Sequence, residues 1–204
     1  MTALRAVRLA LWALVAVALV GLGGLGVGLW RLPAPEKTRT VSVASQIGGP
    51  FRLTSHRGEA VAEADMRGKP YLLFFGFTHC PDVCPTTLAE LSRRLEQLGP
   101  DAGKVRTLFV TVDPERDTQE ALAAYMTSFD PRIVALRGDQ ARTDEVVRSF
   151  KAAARKVPTK DGDYTMDHNA IVYMMNADGT FVGSLDPHEA EEIQLQKLRR
   201  LIAD

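Results

Sequence analysis

The sequence predicts a mixed α/β domain that is preceded by one transmembrane helix. From Leu9 to Trp30 there are 22 consecutive residues without a charged or polar side chain, and as a helix they would span roughly 33 Å, enough to cross a bilayer. Beyond this run, short apolar stretches alternate with stretches in which apolar residues recur at helical spacing. The chain then ends with a hairpin pattern and a helix pattern. Such alternation is typical of a layered α/β domain.

The long apolar run divides the chain into four segments. They are a short N-terminus at residues 1–8, an anchor at 9–30, an exposed linker at 31–44 and the domain at 45–204. A cleaved signal peptide is the alternative for the run, but the apolar part of such a peptide is normally about 7–15 residues long and ends at a small-residue site. Ala16-Val17-Ala18 lies inside the run, so we expect an uncleaved anchor. Basic residues flank the run on both sides, so charge does not decide its orientation.

The charge of the chain argues against a nucleic-acid-binding protein. The formal net charge is zero, but residues 41–204 hold 20 basic and 24 acidic residues and are therefore slightly acidic. Proteins that bind nucleic acid present a basic surface to the phosphates. We therefore expect no nucleic-acid partner.

The first part of the domain is predicted to contain a hairpin, a strand and a helix. Residues 51–61 are expected to form the hairpin, with its turn at His56-Arg57-Gly58. Residues 71–77 (YLLFFGF) are almost all apolar, which predicts a strand that is buried on both faces. Leucines recur every three or four residues between 86 and 98, so this stretch is expected to be an amphipathic helix.

The same pattern continues along the chain. Residues 105–112 are predicted to form a strand and residues 118–129 a helix, which Asp117 is expected to open in a capping-box arrangement with Glu120. A short strand at 133–136 then precedes a helix that Thr143 is expected to cap and that is expected to end at about Ala154.

The last part of the domain is predicted to be a hairpin followed by a helix. Residues 170–175 and 180–183 flank Asn176-Ala177-Asp178-Gly179, which has the composition of a tight turn. The final helix is expected from about Glu189 to Ile202, with Ile193, Leu198 and Leu201 on its apolar face. In an α/β layer, reactive groups gather beyond the carboxyl ends of the strands.

The most reactive residues of the chain lie between the buried strand and its helix, in the sequence THCPDVCP at residues 78–85. Cys80 and Cys84 are the only cysteines. Residues four apart on a helical turn are separated by roughly 6 Å along its axis, close to the Cα spacing that a disulfide accepts. A helix N-terminus stabilises negative charge, so we expect both thiols to ionise more readily than usual.

Three interpretations of this cysteine pair are open. They are thiol-disulfide chemistry, metal binding and a passive structural disulfide. A disulfide that closes a three-residue loop constrains little of the unfolded chain, so the passive disulfide is the least favoured. Two thiolates do not fill a metal site, so metal binding needs a further ligand from elsewhere in the chain.

The four histidines are the candidates for that further ligand. His56 is predicted to be a turn residue and His188 to be exposed at a helix start. His79 would point away from the cysteines if the preceding strand continues to it, because side chains alternate along a strand. His168 lies directly before an apolar strand and would reach the cysteines if residues 151–167 fold over them. Periodicity alone does not select it as a ligand.

Three motifs resemble the SCO/SenC family. They are FFGFTHCPDVCP at residues 74–85, TVDPERDT at 111–118, and Asp167-His168 before Ile171-Val172-Tyr173. The resemblance runs in order from about Gly49 to the C-terminus. A Cys-x-x-x-Cys with these inner residues differs from the Cys-x-x-Cys of ordinary thioredoxins. One departure is ALRG at residues 135–138, where many relatives carry a Leu-Thr-Gly-like sequence.

The resemblance implies a thioredoxin-like fold and one copper ion, Cu(I) or Cu(II), bound by Cys80, Cys84 and His168. It implies a copper metallochaperone for cytochrome c oxidase assembly, in which Cys80 and Cys84 also act as a catalytic dithiol. A single-pass anchor would place the domain in the periplasm or the mitochondrial intermembrane space. The implied partners are oxidase subunit II, a copper-donating chaperone, a thiol reductant and the membrane. Asp82 is expected either to influence the thiolates or to help cap the helix.

Two other functions fit the same residues. One is a membrane-anchored thiol-disulfide oxidoreductase or peroxidase that needs no metal. The other is a redox or copper sensor that signals through the anchor. His168 distinguishes the first of these from a copper chaperone, because an oxidoreductase would not require it.

Overall fold

The computed structural model describes residues 11–19 and 47–203 of the chain. Residues 11–19 are helical and belong to one unit, and the residues from 47 onward belong to another. Within the described residues, no helix is both long enough and apolar enough to cross a membrane. The predicted N-terminus at 1–8 and linker at 31–44 lie outside the described residues, as does the predicted anchor except for residues 11–19.

The elements of the domain alternate along the chain as the fold class predicts. The strands are β1 Arg52–Ser55, β2 Ala60–Ala62, β3 Tyr71–Gly76, β4 Arg106–Thr111, β5 Ile133–Arg137, β6 Ala154–Pro158, β7 Tyr164–His168, β8 Val172–Met175 and β9 Phe181–Leu185; the helices are α1 Val83–Leu98, α2 Gln119–Met126, α3 Gln140–Ser149 and α4 Glu191–Ala203. Short 3₁₀ helices lie at Glu63–Met66 and Gly99–Lys104.

A seven-stranded mixed sheet forms the centre of the domain, in the order β2-β1-β5-β4-β3-β8-β9. β3, β4 and β5 run parallel, and the pairs on either side of them are antiparallel. All six residues of β3 are buried, as expected for a central strand covered on both faces. Because β3 and β4 are parallel and in register from Tyr71↔Arg106 to Gly76↔Thr111, the segments that follow them meet at one edge of the sheet.

Several predicted elements are confirmed. The hairpin of β1 and β2 turns through residues 56–59, and the hairpin of β8 and β9 turns at 176–180. The strands predicted at 71–77, 105–112 and 133–136 are β3, β4 and β5, and the bounds differ by one residue at most at each end. The helix predicted from residue 86 begins three residues earlier, at Val83. Pro85 is tolerated there because the first turn of a helix has no intrahelical partner for its N–H groups.

The predicted cap of α2 is wrong by one residue. Thr118 is the N-cap, and its hydroxyl accepts a hydrogen bond from the backbone N–H of Ala121 at 3.1 Å. Asp117 is fully buried and its carboxylate is bonded elsewhere. The helix ends at Met126, three residues before its predicted end.

The prediction for α3 is also wrong at both ends. The helix begins at Gln140 and is capped by Asp139, whose carboxylate accepts from the N–H of Arg142 at 2.8 Å, while Thr143 is buried within the helix. The helix ends at Ser149, and Lys151 has a φ of 54°, a left-handed conformation that terminates helices. The residues beyond it form a second hairpin, in which β6 pairs antiparallel with β7.

The buried face of α4 differs from the predicted face at one position. Leu198 and Leu201 are buried as predicted, but Ile193 is 47% exposed and Gln194 is buried in its place. The Gln194 side chain is satisfied there, since its Nε2 donates to the carbonyl of Asp186 and its Oε1 accepts from Arg94. A buried amide with both partners costs little.

Candidate metal centre

The two cysteines lie where β3 passes into α1. Cys80 precedes the helix and is partly exposed, whereas Cys84 is in the first helical turn and has no exposed surface. The backbone N–H of Cys84 points to the sulfur of Cys80 at 3.4 Å. Both are free thiols. The helix start therefore presents one accessible sulfur and one buried sulfur.

Gly76 provides the space that the buried sulfur occupies. A Cβ at this position would lie 2.8 Å from the Cys84 sulfur and 2.6 Å from the Phe109 ring, closer than van der Waals contact allows. Only glycine lets the end of β3 pass this close to the sulfur.

The second hairpin brings His168 to the cysteines. His168 is the last residue of β7, and its Nε2 lies 3.3 Å from the Cys84 sulfur. The two sulfurs and a ring nitrogen of His168 all lie within 4.8 Å of one another. Among residues 11–19 and 47–203, these three side chains form the one group of His, Cys, Asp or Glu whose ligand atoms lie close enough together to hold a metal ion. The structure thus brings together the three residues that the resemblance selects.

The imidazole of His168 is oriented by its surroundings. Its Nδ1 lies 2.9 Å from the carbonyl oxygen of Asn169, which can only accept, so Nδ1 carries the proton and Nε2 is left with a free lone pair. The rings of Phe74 and Phe77 contact it edge-on, with centroid distances of 6.1 and 5.8 Å. Burial lowers the pKa of His168 below its ordinary value. The ring is therefore neutral near pH 7, the form that binds metals.

The expectation that both thiols ionise readily is wrong for Cys84. Burial raises the pKa of the Cys84 thiol far above its usual value, and the neighbouring Cys80 and Asp117 raise it further. The loss of hydration outweighs the helix terminus because the sulfur has no contact with water. In the metal-free protein Cys84 is a neutral thiol, and its position next to the Nε2 lone pair of His168 lets it donate a hydrogen bond there.

Asp117 lies beside the cysteine segment and holds it in place, whereas the sequence pattern predicts that it caps a helix. Its buried carboxylate accepts from the Thr78 hydroxyl at 2.6 Å, from the Thr78 N–H at 3.1 Å and from the Thr111 hydroxyl. It therefore ties the segment that leads into Cys80 to the end of β4. One sequence feature does indicate this contact: Asp117 follows shortly after a parallel strand, and the carboxyl ends of parallel strands meet at the sheet edge where the cysteine segment also lies.

The remaining candidates lie outside the three-residue group. His188 is exposed and His56 is half-buried in its turn, as predicted. His79 is also exposed, but β3 ends at Gly76, so the strand alternation that was expected to turn His79 away from the cysteines does not reach it. Asp82 occupies the N-cap position of α1, but its exposed carboxylate accepts no backbone N–H and is approached by the Thr86 hydroxyl at 3.5 Å. It does not cap the helix through its side chain.

Known proteins of one family match this chain over most of its length. The profile of the SCO1/SenC family matches residues 39–203. The mitochondrial SCO2 homolog of Homo sapiens is 37% identical over 190 residues, which cover 90% of this chain and 71% of that protein. The copper-bound structure of ScoI from Bradyrhizobium japonicum is 50% identical, with a TM-score of 0.72, and the match covers 76% of this chain and 99% of that one. The copper-bound structure of yeast Sco1 is 30% identical, with a TM-score of 0.72 over 78% of this chain and 90% of that one. These matches confirm the predicted thioredoxin-like fold.

Proposed function

The chain belongs to the SCO1/SenC family, and from this premise we propose that it is a copper metallochaperone that binds one copper ion through Cys80, Cys84 and His168. The observation that carries the proposal is the convergence of two sulfurs and a neutral imidazole nitrogen within 4.8 Å. Copper in the 50% identical ScoI structure supports copper as the cargo.

The donor set suits copper in both of its oxidation states. Soft thiolates favour Cu(I), and an added imidazole also allows Cu(II). The hydrogen bond from Nδ1 of His168 to the Asn169 carbonyl holds the ring with Nε2 toward the ion, as metal-bound histidines usually require. Copper binding displaces the thiol protons, and the positive charge of the ion offsets the burial that otherwise keeps Cys84 protonated.

The proposed recipient of the copper is the binuclear copper site of cytochrome c oxidase subunit II. Cys80 is the more exposed of the two sulfurs, so an incoming ligand of the target would displace it first. A copper-donating chaperone and a thiol reductant complete the proposed set of partners. Both are needed because each delivery cycle consumes a copper ion and each disulfide reduction consumes the thiol pair.

The same two cysteines would reduce a disulfide in the target. The Cys80 thiolate attacks one target sulfur, which forms a mixed disulfide and releases the other target sulfur as a thiolate. Cys84 then attacks the Cys80 sulfur, which forms the Cys80–Cys84 disulfide and releases the second target thiol. Two electrons pass from the pair to the target. An oxidised pair offers no thiolates, so disulfide formation and copper release are coupled.

The domain is proposed to act outside the cytoplasm. The uncharged run from Leu9 to Trp30 is long enough to serve as a single anchor in the inner membrane. Residues 31–44 would then link it to a domain in the periplasm, or in the intermembrane space of a mitochondrion. An oxidising compartment fits a thiol pair whose function includes a disulfide state.

The test is copper binding by the anaerobically reduced full-length chain, in wild type and in His168→Ala. We expect one equivalent of copper per chain, with thiolate-to-copper charge-transfer bands in the Cu(II) form. Loss of the imidazole should weaken Cu(II) binding by at least about 10- to 100-fold, which is the usual cost of losing even an outer partner of a metal ligand. His188→Ala removes an exposed histidine and serves as the matched control.

Two results would contradict the proposal. Equal copper affinity in wild type and His168→Ala would remove the ligand assignment, and a marked preference for zinc would point to a different cargo, since zinc accepts the same donor atoms. Reduction of a model disulfide should survive in His168→Ala. If only that activity were found in wild type, the chain would be a thiol-disulfide oxidoreductase.

A further inference from the structure

The hairpin that carries His168 is weakly supported by its own contacts. β6 and β7 form a separate two-stranded sheet, apart from the seven-stranded sheet. Of their ten residues, Met166 alone is buried. A two-stranded hairpin by itself is marginally stable in water. The position of His168 therefore depends on what holds the hairpin against the rest of the domain.

Arg116 makes the most extensive of these contacts. Its guanidinium lies 3.8 Å from the centroid of the Tyr164 ring, and its Nη1 donates to the Tyr164 carbonyl oxygen at 3.0 Å. Its Nε donates to Asp113 at 2.5 Å, and the Tyr164 hydroxyl donates to the same carboxylate at 2.9 Å. A planar guanidinium can stack and donate in its plane at the same time, which an ammonium cannot.

A second contact joins β6, the other strand of the hairpin, to the loop after β4 that also contains Asp113 and Arg116. Lys156 of β6 donates to the Glu115 carboxylate at 2.6 Å, and its ammonium lies 4.5 Å from the Tyr164 ring centroid. The Tyr164 ring thus has one cation on it from the loop and one from β6. We call Asp113, Arg116 and Tyr164, with the Lys156–Glu115 pair, the clasp.

Three residues of the clasp, Asp113, Glu115 and Arg116, belong to the loop at 112–118. The same loop holds the cysteine segment. Arg116 adjoins Asp117, which binds Thr78 just before the cysteines. Arg116 also lies 6.0 Å from the centroid of the Phe77 ring, and the same ring contacts the His168 ring at a centroid distance of 5.8 Å. The loop at 112–118 therefore contacts both segments that carry the ligands, through Asp117 on one side and Arg116 on the other.

We propose that Arg116 is a positioning residue for the metal centre, because its stacking on Tyr164 and its bond to the Tyr164 carbonyl keep the hairpin docked with His168 facing the two sulfurs. This inference rests on the proposed function, since it concerns the same copper ion. When a binding-competent conformation is only partly populated, the apparent affinity falls by that fraction. A hairpin docked about one tenth of the time would bind copper about tenfold more weakly.

The first experiment needs no copper. Amide hydrogen exchange of the reduced, metal-free full-length chain is compared between wild type, Arg116→Met and Arg155→Met. We expect faster exchange of the amides that pair β6 with β7 in Arg116→Met, while β3 and β4 keep their protection. Arg155 is on the same hairpin but is 75% exposed and pairs with the exposed Asp167, so Arg155→Met is the matched control and should resemble wild type.

The second experiment is Cu(II) affinity and the Cu(II) absorption spectrum of the same variants. Arg116→Met should bind about tenfold more weakly, with little change in the spectrum of the fully loaded form because the ligands are the same. Tyr164→Phe keeps the ring under the guanidinium and should remain close to wild type. Tyr164→Leu loses the ring and should behave like Arg116→Met.

The outcomes separate this inference from the proposed function. If wild type binds no copper, the proposed function fails, while hydrogen exchange still tests the docking. If wild type binds copper and both Arg116→Met and Tyr164→Leu match it in affinity and exchange, the clasp has no positioning role. Faster exchange spread equally over β3, β4 and the hairpin would also overturn the inference, since it would show a general loss of stability. If Arg116→Met does not fold, Tyr164→Leu and Tyr164→Phe decide the question.

Discussion

At the scale of single residues, the centre is built from groups whose burial sets their chemistry. Cys84 has no exposed surface, whereas Cys80 is partly exposed. Burial raises the pKa of Cys84 and lowers the pKa of His168, so both side chains are neutral in the metal-free protein. A neutral thiol beside a neutral imidazole is a stable resting arrangement. In the proposed copper site, the charge of the bound ion would draw the proton from the buried sulfur.

Because the Cys84 thiol is buried, the metal-free protein should lose stability as the pH becomes alkaline. The pKa of Cys84 is higher in the folded state than in the unfolded chain, so the unfolded state loses its proton first as pH rises. The free energy of unfolding should therefore fall as pH rises above about 8.5, where an ordinary thiol ionises. Urea unfolding of the reduced protein between about pH 7.5 and 9.5 measures this slope.

Cys84→Ser is the control for that pH dependence, because its hydroxyl does not titrate in this range. We expect it to be less stable overall but to show a shallower decline between neutral and alkaline pH. The interpretation depends on the difference between the two slopes and not on the stability at one pH. If the free energy of unfolding falls equally with pH in wild type and Cys84→Ser, burial does not keep the Cys84 thiol protonated.

Asp117 shows how a single residue can satisfy a local pattern and serve a distant contact. With Glu120 three residues on, it fits a helix-capping pattern. Its carboxylate instead binds Thr78, 39 residues earlier in the chain, and Thr111 at the end of β4. A carboxylate can accept several hydrogen bonds at once, which suits a buried position surrounded by donors. The cap passes to the adjacent Thr118, which is exposed.

At the scale of elements, the start of α2 gives a direct test of that assignment. Thr118→Ala removes the hydroxyl that accepts from the N–H of Ala121 and should lower the free energy of unfolding by about 0.5–2 kcal/mol, the usual cost of losing an N-cap. Thr118→Ser keeps the acceptor and should stay near wild type. Chemical denaturation measures both variants. If Thr118→Ala leaves the free energy of unfolding unchanged, the helix start is held by other contacts.

The hairpin of β6 and β7 is the element that local patterns did not predict. Residues 151–154 (KAAA) are good helix formers, and the predicted helix runs through them to about Ala154. In the structure the helix ends at Ser149, and residues 154–158 pair with 164–168. The contacts that stabilise this pairing, such as Arg116 on Tyr164, come from a loop about 50 residues away. Tertiary contacts of this kind override weak local propensity.

For the whole molecule, the proposed metal centre joins two segments that are far apart in the chain. Cys84 and His168 are 84 residues apart. An unfolded chain does not hold these ligands together, so copper should bind mainly to the folded state and stabilise it by mass action. At a free copper concentration of 100 times the dissociation constant, the gain is about 2.7 kcal/mol. The site and the fold therefore stabilise each other.

This coupling predicts a copper-dependent shift in unfolding. Added Cu(I) under reducing conditions should raise the midpoint of thermal unfolding of wild type and of His188→Ala by similar amounts. His168→Ala should gain less, because two thiolates alone bind more weakly and are close together even in the unfolded chain. An equal gain in all three proteins would show that copper binds without the imidazole. Calorimetry with and without copper provides the measurement.

The fold class, the order of most elements and the position of the cysteine pair at a helix start can all be predicted from local patterns in the chain. These follow from local apolar periodicity and from residues adjacent in the chain. The resemblance of three motifs added the family and the choice of His168. The burial of Cys84, the contact of Asp117 with the cysteine segment and the hairpin that brings His168 to the sulfurs are set by tertiary contacts. Each of these depends on contacts between segments tens of residues apart, whose energies no local pattern records.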